Sequence, residues 1–350
     1  MVAIKNKINL FKKRFDLSFS NYLEKKYNSS HKLFSSYLSV QKNYYLKGGK
    51  RLRPFISSFF YKSFSGKSLS PKYFIPLELF HQFILVHDDI IDNDKKRYGG
   101  DNLWASYQKA GERFDKKTAS HFGLSLSLIA GDLAFNQVFN SIANLNVDEV
   151  KKLQLTNLFN QAFTKTTKGW YLQYLDSKSS IKSSTQKKFI YYNLLVTSYY
   201  SFYLPIKYAA ILSGSDITDN KILHIANSLG LAYQIKDDYL GIFGNQNKTG
   251  KPIGSDFQEG KKTLFIIKAY QLASKKDKNY IVDNLSKKQT QSSFRNLNNI
   301  IKCTGSLSYC QNYQQQLLTD ATKNLLKLKL NKKKQSEINE LIDYLFHRNS

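Results

Sequence analysis

Five aspartates in two clusters carry the chemistry that this sequence offers. Asp88, Asp89 and Asp92 close the run His87-Asp88-Asp89-Ile90-Ile91-Asp92, directly after the apolar stretch Phe80 to Val86. On a helix Asp88 and Asp92 are four apart and share one face, with Asp89 alongside. Carboxylates so placed repel one another, and ending an apolar stretch with them costs stability unless a cation neutralises them. Oxygen-only ligands suit Mg²⁺ completed by waters and substrate phosphates. A solvated acidic helix end explains a lone DDxxD equally well. The second cluster, Gln234-Ile235-Lys236-Asp237-Asp238-Tyr239-Leu240-Gly241, follows the amphipathic run Ile222 to Tyr233. Asp237 there can face the same metal cluster from an opposing helix, with Gln234 one turn behind Asp238. Two acidic helix ends far apart in sequence suggest a cavity clamped from both sides, as bundle-core metal sites are.

Basic motifs complete a diphosphate site. Lys47-Gly48-Gly49-Lys50-Arg51-Leu52-Arg53-Pro54 offers a flexible glycine pair followed by three cations in four residues. Arginine forks grip phosphate oxygens in two places and lysine supplies a point charge. Downstream, Thr249 to Thr263 is a glycine-punctuated loop bearing Lys251 and Lys261. In so basic a protein each motif alone also reads as surface decoration.

The elements that must position these residues are helices. Apolar residues recur at helical spacing, as in Leu223, Ala226, Leu229, Gly230 and Tyr233, and no sustained period-2 alternation appears. Only five prolines interrupt the 350 residues. The expected architecture is all-α, about ten or more helices, with breaks at 47–49, 63–71, 98–102, 145–148, 176–185, 213–219 and 244–260. The Ser/Gln/Asn-rich stretch 286–312 carries the weakest helical signal. No repeat of 20 to 50 residues is present, which argues against a solenoid.

The net charge of +27 attracts any polyanion. Of the 53 basic residues, however, 46 are lysines scattered in pairs and 7 are arginines, with no arginine-rich stripe, so no nucleic-acid partner is expected. Cys303 and Cys310 have no ligand partners at metal spacing and are expected as reduced thiols in a cytoplasmic protein. The basic, amphipathic start lacks the pattern of a signal peptide. Phe189 to Ile206 runs 18 residues without a charge, but it holds five tyrosines and Pro205, so a buried helix is expected rather than a transmembrane segment.

Together, GGKRLRP at 48–54, LVHDDIID at 85–92, Gly131-Asp132, QIKDDYLG at 234–241 and the GK/D/K loop at 250–261 resemble the trans-isoprenyl diphosphate synthase (polyprenyl synthetase) family, short-chain type. The resemblance implies an antiparallel helical bundle around a deep central cavity, one domain over 1–350, and a homodimer. It implies that Asp88, Asp89, Asp92, Asp237 and Asp238 hold magnesium on an allylic diphosphate. Lys50, Arg53 and His81 match the isopentenyl diphosphate pocket. Arg97, Lys251 and Lys261 match the allylic side, and Gln234 faces the reacting centre. Loss of diphosphate leaves an allylic cation, which the alkene of isopentenyl diphosphate attacks before a proton leaves. No protein nucleophile is needed, and no Ser/His/Asp or Cys/His triad is evident. Phe83 and Phe80, five and eight residues before Asp88, match the floor that limits chain length, which favours farnesyl or geranylgeranyl diphosphate; ordinary core packing explains the same rings.

The chain departs from the family pattern at four places. Tyr98 stands where a second arginine is usual, Val196 where a lysine is, and Gly241 where the second cluster's third acid is. The GQxxD element reads Leu172-Gln173-Tyr174-Leu175-Asp176. A lost charge-assisted contact in a buried site costs roughly 1.5 to 3 kcal/mol. Tyr98 and Val196 therefore motivate an alternative, a catalytically weakened subunit of a heteromeric synthase. Retention of all five aspartates argues against it. A terpene cyclase would share the metal chemistry but leaves the Lys50/Arg53 pocket for a second diphosphate unexplained.

Overall fold

The computed structural model describes residues 2–244, 254–328 and 330–346. The chain forms two compact units, residues 2–157 with 208–215, and residues 158–207 with 216–350.

The first unit contains α1 (Val2–Lys26), α2 (Lys32–Leu46), α3 (Leu52–Ser65), α4 (Ile75–Ile91), α5 (Leu103–Ala110), α6 (Lys116–Ala143) and the start of α7 (Glu149–Lys178). Its axis is α4, in which every residue from Ile75 to Val86 except His81 is buried. A helix apolar on all sides has to be enclosed. α6 packs along both α4 and α5, and its small residues let backbones approach. A side chain at Gly123 would collide with the backbone of Trp104 and Gln108, and one at Gly131 with the His87 ring. Among the described residues α6 is the helix long and apolar enough to cross a membrane; the face bearing Ala119, Gly123, Ser127, Ala130 and Ala134 is buried.

Local caps fix the ends of these helices. Asn102 accepts a hydrogen bond from the Ala105 amide at the start of α5, and Asp115 accepts from Lys117 and Thr118 at the start of α6. Between α4 and α5, Lys96–Arg97 and Gly100–Asp101 pair as a minimal antiparallel hairpin. Its two turn residues, Tyr98 (φ 54°) and Gly99 (φ 73°), are both left-handed, as a two-residue hairpin requires.

The second unit holds the remainder of α7, α8 (Gln186–Asn193), a π-helix over Leu194–Tyr203, the start of α9 (Leu204–Ser213), α10 (Asp219–Phe243), α11 (Ser255–Glu259), α12 (Leu264–Leu272), α13 (Lys275–Asn284), α14 (Gln291–Cys303), α15 (Ser306–Leu326) and α16 (Lys332–Phe346). α10 packs against the π-helix and α15. The protein is all-α, as its periodicity predicts. Three local features differ from the sequence expectation. α7 runs to Lys178, past the break placed at 176. The polar stretch 286–312 is firmly helical from 291, because Leu297, Ile300 and Ile301 form a buried stripe and Thr290 closes a capping box with Ser293. The uncharged stretch 189–206 is buried as expected but is π-wound over ten residues. The wider winding is accommodated at two glycines: Val196 lies where a side chain at Gly169 would be, and Ser198 where one at Gly230 would be.

Candidate active site

The first acidic cluster ends α4, with Asp92 as its C-cap. A helix C-terminus carries partial negative charge, so three carboxylates there are disfavoured without positive partners. The hairpin supplies one. Arg97 donates from Nε to Asp89 Oδ1 at 2.7 Å and from Nη2 to the same oxygen at 2.5 Å, and its Nη2 lies 3.5 Å from Asp88 Oδ2. Tyr44 donates its hydroxyl to Asp89 Oδ2 at 3.4 Å. Burial disfavours the Arg97 charge, but Asp89 more than offsets this and raises its pKa. Asp89 is thus buried and neutralised, while Asp88 and Asp92 remain partly exposed on their shared face.

One helical stretch back along α4, the basic pocket is assembled. His81 and Asp88 are seven residues apart, about 10 Å along the helix. Arg53 donates from Nη1 to His81 Nε2 at 3.2 Å. Burial, and the charges of Arg53, Arg97 and Arg51, drive the His81 pKa well below its ordinary value. The ring is therefore neutral, with Nε2 as acceptor and the proton on Nδ1. Lys50 is exposed at the mouth of the same turn. Tyr98 lays its ring on Gly48, leaving no room for a side chain there, and brings its hydroxyl beside Gly49. Burial raises that hydroxyl to about 12, so it stays a neutral donor.

Phe80 and Phe83 are both buried. Their ring centroids are 5.6 Å apart, and Phe83 also meets His87 at 4.6 Å and Phe135 of α6 at 5.0 Å. Phe135 in turn meets Phe139 at 5.2 Å. The aromatic cluster is thus shared between α4 and α6, and its α6 half carries no sequence signal beyond two phenylalanines at i, i+4.

The second cluster lies in the last turns of α10. Asp238 is buried. Gln234 Nε2 donates to its Oδ1 at 2.8 Å, and Thr197 of the π-helix donates to Gln234 Oε1 at 2.6 Å. Among the described residues Asp238 Oδ2 is buried without a hydrogen-bond partner. Burial first, then Asp256 and Asp237, raise the Asp238 pKa well above the usual carboxylate range. Asp256 Oδ2 sits 2.8 Å from where a Cβ at Gly241 would be. Lys261 pairs with Glu259 at 2.9 Å and lies 3.7 Å from Asp256. Its neighbour Lys262 is buried and donates to the Ser177 and Ser179 carbonyls at the end of α7. Lys251 lies outside the described residues.

Magnesium fits these donors. Among the described residues no three His, Cys, Asp or Glu side chains converge as a closed cage. Mg²⁺ does not need one, since it takes one or two carboxylates and keeps waters and phosphates for the rest. The partly exposed Asp88 and Asp92 at the end of α4 and, in the other unit, the Asp238 oxygen with no hydrogen-bond partner among the described residues are each the kind of donor that such an ion completes.

The α4 end offers carboxylates that a cation would complete, and the same helix carries a neutral histidine paired with arginine. Residues 35–301 match the family model for polyprenyl synthetase, and the chain belongs to that family of prenyltransferases. It is 27% identical to a geranylgeranyl diphosphate synthase of Sulfolobus acidocaldarius over 322 residues, covering 88% of this chain and 91% of that one. It is 26% identical to a short chain isoprenyl diphosphate synthase of Methanocaldococcus jannaschii over 256 residues, 72% of each chain. A geranylgeranyl pyrophosphate synthase from Corynebacterium glutamicum, solved with isoprenyl diphosphate and magnesium, shares the fold with a TM-score of 0.88 at 22% identity, over 97% of this chain and 98% of that one.

Proposed function

We propose that this chain is a magnesium-dependent trans-prenyltransferase that adds isopentenyl diphosphate to an allylic diphosphate, giving geranylgeranyl or farnesyl diphosphate. The observation that carries the reading is the order of groups along α4. His81, paired with Arg53 of α3, and the Asp88/Asp92 face lie about two turns apart on α4, spacing that suits two different diphosphates rather than one. A cyclase acting on a single diphosphate has no use for the basic pair.

In this reading Lys50, Arg53 and neutral His81 hold the isopentenyl diphosphate. Asp88, Asp89, Asp92, Asp237 and Asp238 serve the metal, with Arg97, Lys251 and Lys261 on the allylic diphosphate. When bound, magnesium neutralises charge building on the leaving oxygens. Arg97 keeps Asp89 charged and fixed, and Gln234, itself fixed by Thr197, orients Asp238. Phe83, Phe80 and Phe135 exclude water and stop chain growth. Tyr98 supplies a neutral donor in place of a cation. We place the enzyme in the cytoplasm, acting through 1–350 as one catalytic domain and as a homodimer; exposed Leu128 and Ile129 on α6 support a contact between copies.

The test is incubation of the purified protein with isopentenyl diphosphate and dimethylallyl, geranyl or farnesyl diphosphate, with and without Mg²⁺, and identification of products by mass. Magnesium-dependent elongation is expected. Folded protein yielding no product from any primer favours the heteromeric-subunit reading.

A further inference from the structure

We infer that Arg51 is a positioning residue for the isopentenyl diphosphate pocket, holding Lys50 and Arg53 in place through a buried anchor on Asp16, Glu78 and the Tyr45 carbonyl. This rests on the function proposed above.

Arg51 stands immediately before α3 with φ 50° and ψ 39°, a left-handed conformation that a residue with a side chain adopts only when its surroundings hold it there. Its side chain is wholly buried. Nε donates to Asp16 Oδ1 of α1 at 2.7 Å, Nη1 to Glu78 Oε1 of α4 at 2.5 Å, and Nη2 to the Tyr45 carbonyl of α2 at 2.8 Å. The guanidinium also lies over the Phe19 ring at 5.3 Å. A planar fork reaches three acceptors in three directions; a lysine ammonium on a single stem does not.

Enclosed in this way, Arg51 does not touch a substrate. Its effect is on its neighbours. The backbone reversal it enforces lies between Lys50 and Arg53. Glu78, which grips Arg51, is three residues before His81, which accepts from Arg53. Positions three apart share a helix face, so α4 holds the turn at two points, one through each arginine. Glu78 is itself held, since Gln82 one turn on donates to its Oε1 at 2.7 Å. Asp16 is the outermost link, partly exposed and also paired with Lys12. The first helix of the chain therefore reaches the pocket through one carboxylate.

The experiment is steady-state kinetics of full-length Arg51→Lys and Asp16→Asn, with isopentenyl diphosphate and the allylic diphosphate varied separately and folding followed by circular dichroism. Arg51→Lys is expected to raise KM for isopentenyl diphosphate about tenfold, with kcat and the allylic KM changed less than about twofold. Asp16→Asn keeps its shape and loses only charge at a partly exposed position, so it folds even if Arg51→Lys does not. It is expected to raise the same KM by about threefold. An unchanged KM for isopentenyl diphosphate in folded Asp16→Asn, or a parallel fall in all constants, overturns the inference while leaving the function intact. Wild-type protein that makes no product overturns both.

Discussion

The two acidic helix ends share an Asp-Asp pair and solve the same electrostatic problem differently. At the end of α4 the buried acid, Asp89, has a cation: Arg97 reaches it with two nitrogens and Tyr44 adds a hydroxyl. At the end of α10 the buried acid, Asp238, has a neutral amide on one oxygen, nothing on the other, and two further carboxylates, Asp237 and Asp256, nearby. A buried charge is tolerated when it is paired and is otherwise suppressed by protonation. The buried acid of the first end is therefore held as a carboxylate by its cation, whereas burial and neighbouring carboxylates push Asp238 towards its protonated form.

The sharpest way to break this contrast is to remove a partly exposed acid at each end. Asp88→Ala and Asp237→Ala are expected to fold and to lose turnover by about 10³-fold or more. A near-normal rate in either variant refutes the assignment of that end to the metal. Arg97→Met leaves Asp89 buried without its cation and is expected to destabilise the protein by about 3 kcal/mol, read by urea unfolding; no comparable loss follows from Gln234→Ala at the other end.

Asp238→Asn runs the opposite way. A carboxyl whose pKa rises on folding takes up a proton as the chain folds. Stability is then undiminished below the unfolded value and falls as pH climbs towards the folded one. The amide has no such dependence, so metal-free Asp238→Asn is expected to be more stable than wild type by roughly 1 kcal/mol at neutral pH. That advantage disappears below about pH 3, where the carboxyl is protonated in both states. Thermal midpoints of both proteins across that range decide it, and equal midpoints at pH 7 remove the contrast. The smallest effect concerns the proposed aromatic floor behind the first end. Phe83→Ala is expected to lengthen the product by about one isoprene unit with little change in rate; unchanged product length identifies the ring as ordinary packing.

The aspartates and the basic turn were legible because their spacing is itself the signal: Asp88 and Asp92 fall on one face of any helix, and 80–86 announces that the helix is buried. What surrounds them was not. Nothing local in the sequence says that Asp89 turns inward to Arg97 while Asp88 does not, because a hairpin turn through Tyr98 decides it. Arg51 reads as one more phosphate ligand between Lys50 and Arg53, and only its burial against Glu78 shows otherwise. The π-winding of 194–203 escapes a search for a 3.6-residue period. Asp256 is 15 residues from Gly241, and no spacing rule joins them.

That last pair shapes how the sequence can change. Gly241 and the Asp256 carboxylate draw on one small volume. An acid restored at 241 would drive a second negative charge against Asp256, beside an Asp238 already crowded by its neighbours. A side chain at 241 is thus accommodated only if the Asp256 carboxylate shifts.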